Sequence, residues 1–260
     1  MNKIVISVVT IVYNDCSHIE RTIQSVLNQD YPEVDYIVVD GLSTDGTSDI
    51  ISNYASQINT FVSEKDKGIY DAMNKGLRLA VGDYIIFMNS GDCFSDNSVL
   101  SQIVQCIKSL EVLPVMVYGD YRQSYEFGFS PVIPSRSYKK AWYGAFASHQ
   151  STLYNLHFLR DYNIRYDLSY KIAADYKLNL EVVKNANDAI EKIDLCISDF
   201  DMTGVSQINQ SKGLQEADRA RKEALEMPYL CRKAIILLTL SAHALKKYFN
   251  PLYTKLRMKQ

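Results

Sequence analysis

After three residues the chain enters an almost unbroken apolar run, 4–11 (IVISVVTI), rich in β-branched side chains. Such a run suits a parallel strand covered on both faces. Ser17-His18-Ile19-Glu20 fits the capping-box pattern, and Ile19, Ile23, Val26 and Leu27 follow at helical spacing. The alternation continues with a strand at 36–39, a turn over 41–46 and a short helix carrying Ile50, Ile51 and Tyr54. Next come a strand at 60–63, a helix over 69–80 and a strand at 84–88. An amphipathic helix with Val99, Leu100, Ile103, Val104, Ile107 and Leu110 leads into a strand at 115–118. Strands alternating with helices predict βαβ units, hence an α/β fold with a mostly parallel sheet flanked by helices.

Beyond about Tyr121 the rhythm breaks. Residues 121–150 are rich in Tyr, Ser and Pro and show no clean period, so loops and short antiparallel strands are expected there. Helical patterning returns at 173–184 and again from Leu214 onward. The expected organisation is one domain in two halves, 1–118 and 119–225, with a helical tail over 226–260.

Composition narrows the functional classes. The formal net charge of −2 gives no basic surplus for neutralising phosphates, which argues against nucleic acid as a partner. Seven Lys and Arg and no acidic residue lie between 229 and 260, leaving −9 for the rest of the chain. Within that basic end, 234–245 (AIILLTLSAHAL) is strongly apolar yet shorter than the roughly 18–20 residues a bilayer crossing requires. Such a segment either lies in a membrane interface or packs as an ordinary helix. The five scattered cysteines form no C-x-x-C pair and no zinc spacing, so reduced thiols are expected. Met1-Asn2-Lys3 runs straight into the first strand with no signal-peptide pattern, giving an expectation of a cytoplasmic protein.

In open α/β sheets, ligands bind outside the carboxyl ends of the strands. Four consecutive strand ends here carry polar groups: Thr10, Tyr13 and Asn14; Asp40; Glu64 and Asp66; Asn89 and Asp92. The turn after the first strand lacks a G-x-G-x-x-G fingerprint, and no Walker A lysine loop follows it, so neither a dinucleotide nor P-loop chemistry is indicated.

Five stretches carry a resemblance: "SVVTIVYND" (7–15), "VVDGLSTDGT" (38–47), "SEKDKGIYDAMNKGLRLAVGDYIIFMNSGD" (63–92), "SHQS" (148–151) and "AADYKLNL" (173–180). With them the chain resembles the family 2 glycosyltransferases of the GT-A fold, especially bacterial enzymes that build surface polysaccharides. The likeness spans about residues 4–180, in family order, and the tail matches no motif.

The resemblance implies an inverting transferase that moves a hexose from a UDP-sugar to a hydroxyl of a glycan or lipid-linked glycan acceptor. Asp40 matches the residue that contacts the nucleotide base, Ser43 shares its turn, and Asp66 matches a second nucleotide-side aspartate. Thr10, Tyr13, Asn14, Asn74, Asn89, Ser90 and Gly91 are placed with the donor. "FMNSGD" falls where the family carries a metal motif often seen as Asp-Ser-Asp-Asp; here only Asp92 keeps a carboxylate, as the anchor of a divalent ion (Mn²⁺ or Mg²⁺) completed by the diphosphate. Asp175 matches the general base, and His149 and Gln150 lie in the block that meets donor sugar or acceptor. The family's acceptors imply peripheral attachment at the inner face of the cytoplasmic membrane, with residues 229–260 meeting an anionic surface. A second copy of the chain is a further candidate partner. The alternative reading is a catalytically inactive nucleotide-binding or assembly subunit of the same fold.

Overall fold

The computed structural model describes residues 3–125, 128–201 and 210–248. Its first strand, β1 (Ile6–Val12), is buried throughout. It pairs in parallel with β2 (Val34–Asp40) on one side and β4 (Tyr84–Phe87) on the other, and β3 (Thr60–Ser63) adds in parallel to β2. The crossovers carry α1 (Ile19–Leu27), α2 (Thr47–Ser52) and α3 (Ile69–Leu79). Successive side chains of a strand face opposite ways. Ile6, Val8 and Val12 therefore join Ile19, Ile23 and Val26 of α1 in one core, whereas Val9 and Ile11 join Tyr70, Met73 and Leu77 of α3 in another. A fully buried side chain such as Ile23 contributes roughly 1.5–3 kcal/mol by leaving water.

After β5 (Cys93–Phe94) and α4 (Val99–Ser109), the chain forms β6 (Met116–Tyr125), which carries a short partner, β7 (Gly128–Phe129). β8 (Thr152–Asn155) sits antiparallel between β4 and β6. α5 (Leu156–Asp161) and α6 (Ala174–Asn185) cover the α3 side of the sheet. β9 (Ile190–Asp201) lies parallel to β6, and β5 pairs antiparallel to its outer side. One sheet results, in the order β3-β2-β1-β4-β8-β6-β9-β5. The parallel expectation applies to β1–β4; beyond β4 the pairing is mixed.

Three local expectations are corrected. Ser17 does not cap α1: His18 holds the cap position without a side-chain bond, and Ser17 Oγ and His18 Nδ1 turn instead to Asp15. The strand proposed for 115–118 runs on to Tyr125. Finally, β9 was not predicted at all. Its register with β6 slips at Tyr118, Asp120 and Tyr121, so its buried positions follow no strict period of two.

The C-terminal part is helical, in α7 (Gln210–Leu225) and α8 (Tyr229–Tyr248). α8 is clasped to α7 by Arg232 Nη1, which donates to Asp218 Oδ2 at 2.6 Å. Its Leu230, Leu237, Leu238 and Leu240 are exposed. No helix among the described residues is long and apolar enough to cross a membrane. Residues 249–260 of the basic tail lie outside the described part.

Candidate active site

The loops after β1 and β2 are stitched together. Asn14, held at a positive φ of 50°, donates its backbone N–H to Ser43 Oγ at 2.8 Å, and its Oδ1 accepts from Thr44 N–H at 2.8 Å. Asp15 N–H reaches Thr47 Oγ1 and Cys16 N–H reaches Asp45 Oδ2, each at 3.0 Å. This lattice leaves the Tyr13 ring 65% exposed above the edge. Beside it, a Cβ added to Gly41 would stand 2.5 Å from Asp66 Oδ2 and 3.2 Å from the Tyr13 ring, so a side chain there would displace the Asp66 carboxylate. Tyr13, Gly41 and Asp66 thus form one small surface at the ends of β1 and β2.

Asp40 ends β2 beneath this surface, fully buried. Its oxygens accept from Ser43 N–H and from the hydroxyls of Ser43, Ser48 and Ser63. Burial alone would push its carboxyl up, but the hydroxyls of Ser43, Ser63 and Ser48 outweigh that and hold it below the ordinary value. The structure therefore shows Asp40 as the organiser of a serine turn, with its acceptor sites occupied.

At the end of β4, Ser90 Oγ donates to Asp15 Oδ2 at 2.7 Å, tying this turn to the β1 loop. Asn89 Nδ2 donates to His149 Nε2 at 3.0 Å, while Asn89 Oδ1 is buried with no partner. Burial drives the His149 ring down to about 4, so it is neutral at physiological pH and free to accept from the amide. Gly91 adopts φ +95°, and an added Cβ would lie 3.0 Å from Asp201 Oδ2. Asp92 is 3% exposed; Gln150 Nε2 donates to its Oδ2 at 2.8 Å and Asp201 N–H to its Oδ1 at 2.9 Å. Burial pushes Asp92 up to about 7 despite those two donors, and the Asp201 carboxylate adds to the rise. Arg21 Nη2 lies 3.5 Å from Asp201 Oδ2 and also donates to the Gly91 carbonyl.

Among the described residues no cluster of three or more His, Cys, Asp or Glu is arranged to hold a metal alone. The chemistry around the turn nonetheless fits a hard cation in kind. It comprises the Asp92 and Asp201 carboxylates and the buried, unpartnered Asn89 Oδ1, all oxygen.

Asp175 occupies the second position of α6, behind the cap residue Ala173. The Tyr70 hydroxyl, from the first turn of α3, lies against the Ala174 and Asp175 amides, and Tyr154 and Tyr166 also face this carboxylate. Because α3 begins just past the carboxyl end of β3, its Tyr70 brings Asp175 to the same edge as the loops after β1 and β2. Burial raises its carboxyl to about 6; the Tyr176 and Asp175 N–H groups pull it down, and Glu216 adds to the rise.

Two sequence-derived site residues are misplaced. Thr10 is fully buried, its hydroxyl bonded to Tyr36 Oη at 3.1 Å, because position 10 falls on the core-facing side of β1. Asn74 is buried on α3 and spends both ends of its amide on the Tyr166 backbone, at 2.8 and 3.0 Å. Both are structural. Arg21, Asp201 and Glu216 carry no signal in the sequence: each acts on a residue distant in the chain, and none sits in a recognisable spacing, whereas Asp15 lies within the 7–15 stretch but shows its link to Ser90 only in the fold.

Comparison with known proteins bears on the family and the fold. Over 204 residues the chain is 31% identical to an uncharacterised glycosyltransferase of Mycobacterium tuberculosis, covering 77% of this chain and 76% of that one. Over 104 residues it is 38% identical to a protein named for teichuronic acid biosynthesis, the glycosyltransferase TuaG of Bacillus subtilis, covering 39% and 41% of the two chains. The fold superposes on TarS of S. aureus in complex with UDP, with a TM-score of 0.68 at 20% identity, over 95% of this chain and 73% of that one. It also superposes on the mannosyltransferase PcManGT of Pyrobaculum calidifontis in complex with GDP-Man and Mn²⁺, with a TM-score of 0.62 at 16% identity, over 97% and 72%. Residues 7–162 match the model of glycosyl transferase family 2, and the chain belongs to that family.

Proposed function

We propose that this family 2 glycosyltransferase inverts configuration as it moves a hexose from a UDP-sugar to a hydroxyl of a glycan acceptor, lipid-linked, in surface polysaccharide synthesis. The observation that carries the reading is Asp175: a half-buried carboxyl at a helix start, beside the first turn of α3 on the strand-end edge, and raised to about 6 by loss of water. A base with that affinity for protons is mostly ionised at neutral pH and still accepts a proton from an attacking hydroxyl.

In this reading Tyr13 stacks on the base, and Asp66 accepts from it beside Gly41. Asp40, which the resemblance matches to the base-contacting residue, is fully buried with its oxygens engaged, so here it holds the loop beneath with Ser43 and Asn14. Asn89, Ser90, Gly91 and Asp92 meet the donor sugar and diphosphate, with His149 and Gln150 backing Asn89 and Asp92. A divalent ion, Mn²⁺ or Mg²⁺, fits at Asp92, with Asn89 Oδ1 and Asp201 as the further oxygen donors in reach of the turn. When bound, it would supply positive charge to the departing diphosphate.

The division into a donor half (1–118), an acceptor half (119–225) and a tail (226–260) is retained as a proposal, with one sheet joining the halves. The exposed leucines and basic residues of α8 suit a peripheral, inner-face attachment to an anionic membrane. A second copy of the chain is the competing occupant.

The test is release of UDP from a panel of UDP-sugars with Mn²⁺ and with EDTA. Metal-dependent turnover supports the reading and rejects an inactive assembly subunit. Binding of UDP without any turnover, with acceptor glycans supplied, would overturn it.

A further inference from the structure

We infer that Glu216 of α7 is a positioning residue for Asp175, holding the segment that delivers α6 to the site. The inference rests on Asp175 as the base. Glu216 is 8% exposed and points away from its own helix into the loop ahead of α6. Its carboxylate accepts from three successive backbone N–H groups: Lys171 at 3.0 Å, Ile172 at 2.8 Å and Ala173 at 3.0 Å. Three consecutive amides aimed at one point make a concave anion site. Here a side chain of the same protein, 43 positions after the nearest of those amides, fills it. Since Ala173 caps α6 and Asp175 follows two residues later, the grip on 171–173 fixes the place from which the Asp175 carboxylate projects.

The rest of α7 acts in the same sense. Arg221, 4% exposed, donates to the Trp142 and Tyr143 carbonyls at 2.9 and 2.8 Å, and Tyr176 of α6 donates to the Ala141 carbonyl at 2.7 Å. One helix thus latches both loops that flank the start of α6, through groups too buried to serve as a solvated helix face.

The choice of a carboxylate has a second consequence. The titratable groups facing Asp175 are Tyr70 from α3, Tyr154 from β8, Tyr166 from the preceding loop, and Glu216 from α7. Burial pushes the three tyrosines well above their ordinary value, so they are neutral. Glu216 is the carboxylate of the set, and its proximity favours the protonated form of Asp175. Glu216→Gln keeps an oxygen acceptor but removes that charge; Glu216→Ala removes both.

The experiment follows UDP release against pH, using whichever of UDP-glucose, UDP-galactose and UDP-N-acetylglucosamine is hydrolysed fastest. Parallel readouts are amide hydrogen exchange at 171–173 and the ¹³C titration of the Asp175 carboxyl. Glu216→Gln should move the acid limb and the ¹³C midpoint to lower pH while the melting temperature and UDP affinity stay near wild type. Glu216→Ala should speed exchange at all three amides and lower kcat roughly 10- to 100-fold, with the donor KM little changed, as expected for a displaced reacting group. If Glu216→Ala does not fold, Glu216→Gln carries the test. Without turnover on any donor, the ¹³C midpoint and the exchange rates decide it. An unmoved midpoint together with unchanged exchange in both variants would overturn the inference. Wild-type transfer by Asp175→Asn would instead overturn the base assignment, leaving the latch to be judged by exchange alone.

Discussion

Gln150 Nε2 donates to Asp92 Oδ2 at 2.8 Å, joining two buried side chains 58 positions apart. The bond ties the turn after β4 to the segment leading into β8. It also supplies one of the two donors that make a buried carboxylate tolerable. Gln150→Ala should cost about 1.5–3 kcal/mol, the usual loss for a hydrogen bond to a charged group with its partner left buried. Urea unfolding at pH 8, where Asp92 is ionised, reads this directly. A loss below about 0.5 kcal/mol would show that water replaces the amide freely.

Asp92 has its carboxyl raised from the ordinary 3.8 to about 7, chiefly by burial. Between those values the folded chain keeps a proton that the unfolded chain releases, so stability from this residue falls as pH rises from about 4 to about 7. Asp92→Asn abolishes that dependence. In EDTA, the variant's stability relative to wild type should rise across this window and level off above it. Parallel wild-type and variant curves would refute the buried-acid assignment.

Asp175→Asn should leave UDP affinity within about twofold and lower transfer roughly 10²- to 10⁴-fold, the span of general-base catalysis. The base must be deprotonated to act, so wild-type kcat should fall as pH drops through about 6, where this carboxyl gains its proton. Calorimetry with UDP and steady-state kinetics separate the two effects. An acid limb near 4, the ordinary aspartate value, would mean that the site is wetter than the geometry shows.

Tyr13 is 65% exposed beside Gly41 and Asp66, and the proposed function has it stack on the nucleobase. Base–aromatic stacking is worth about 1–3 kcal/mol by alanine substitution. Tyr13→Ala should therefore raise the Kd for UDP by roughly 5- to 150-fold, and Tyr13→Phe should restore most of the affinity. Equal binding by the alanine and wild-type proteins would move the base elsewhere.

Leu230, Lys233, Leu237 and Leu240 recur at three- and four-residue steps along α8, and the leucines among them are exposed. Deleting residues 229–260 should release the protein from vesicles containing anionic lipid, and Leu237→Ser with Leu238→Ser should weaken co-sedimentation while α7 stays folded. Undiminished sedimentation by both proteins would refute the membrane role.

The donor half was readable because β1, β2 and β4 are covered on both faces and spell their burial as continuous apolar runs. β9 was not: it combines partial exposure with a slipped register, so Glu191, Lys192 and Asp194 interrupt any period. The site divides similarly. Asp92 follows an apolar strand, whereas Gln150 and Asp175 are marked only by the resemblance that their short stretches carry. Asp201 donates its own backbone N–H to the distant Asp92 carboxylate, and the Glu216 carboxylate accepts from backbone N–H groups far along the chain; no spacing encodes either bond. Thr10 and Asn74 misled for one shared reason: a polar residue near a strand end or on a helix is equally suited to a buried structural bond.

The place of β9 in the sheet has a temporal consequence. Asp92 takes one of its donors from Asp201, which leaves the ribosome 109 residues later, and Cys93 and Phe94 find their strand partners only in Ser198 and Asp199. A nascent chain that has already made the four parallel strands still carries an unfinished turn after β4. Completion of this turn therefore waits for β9, and fragments ending before Asp201 should leave Asp92 without that donor.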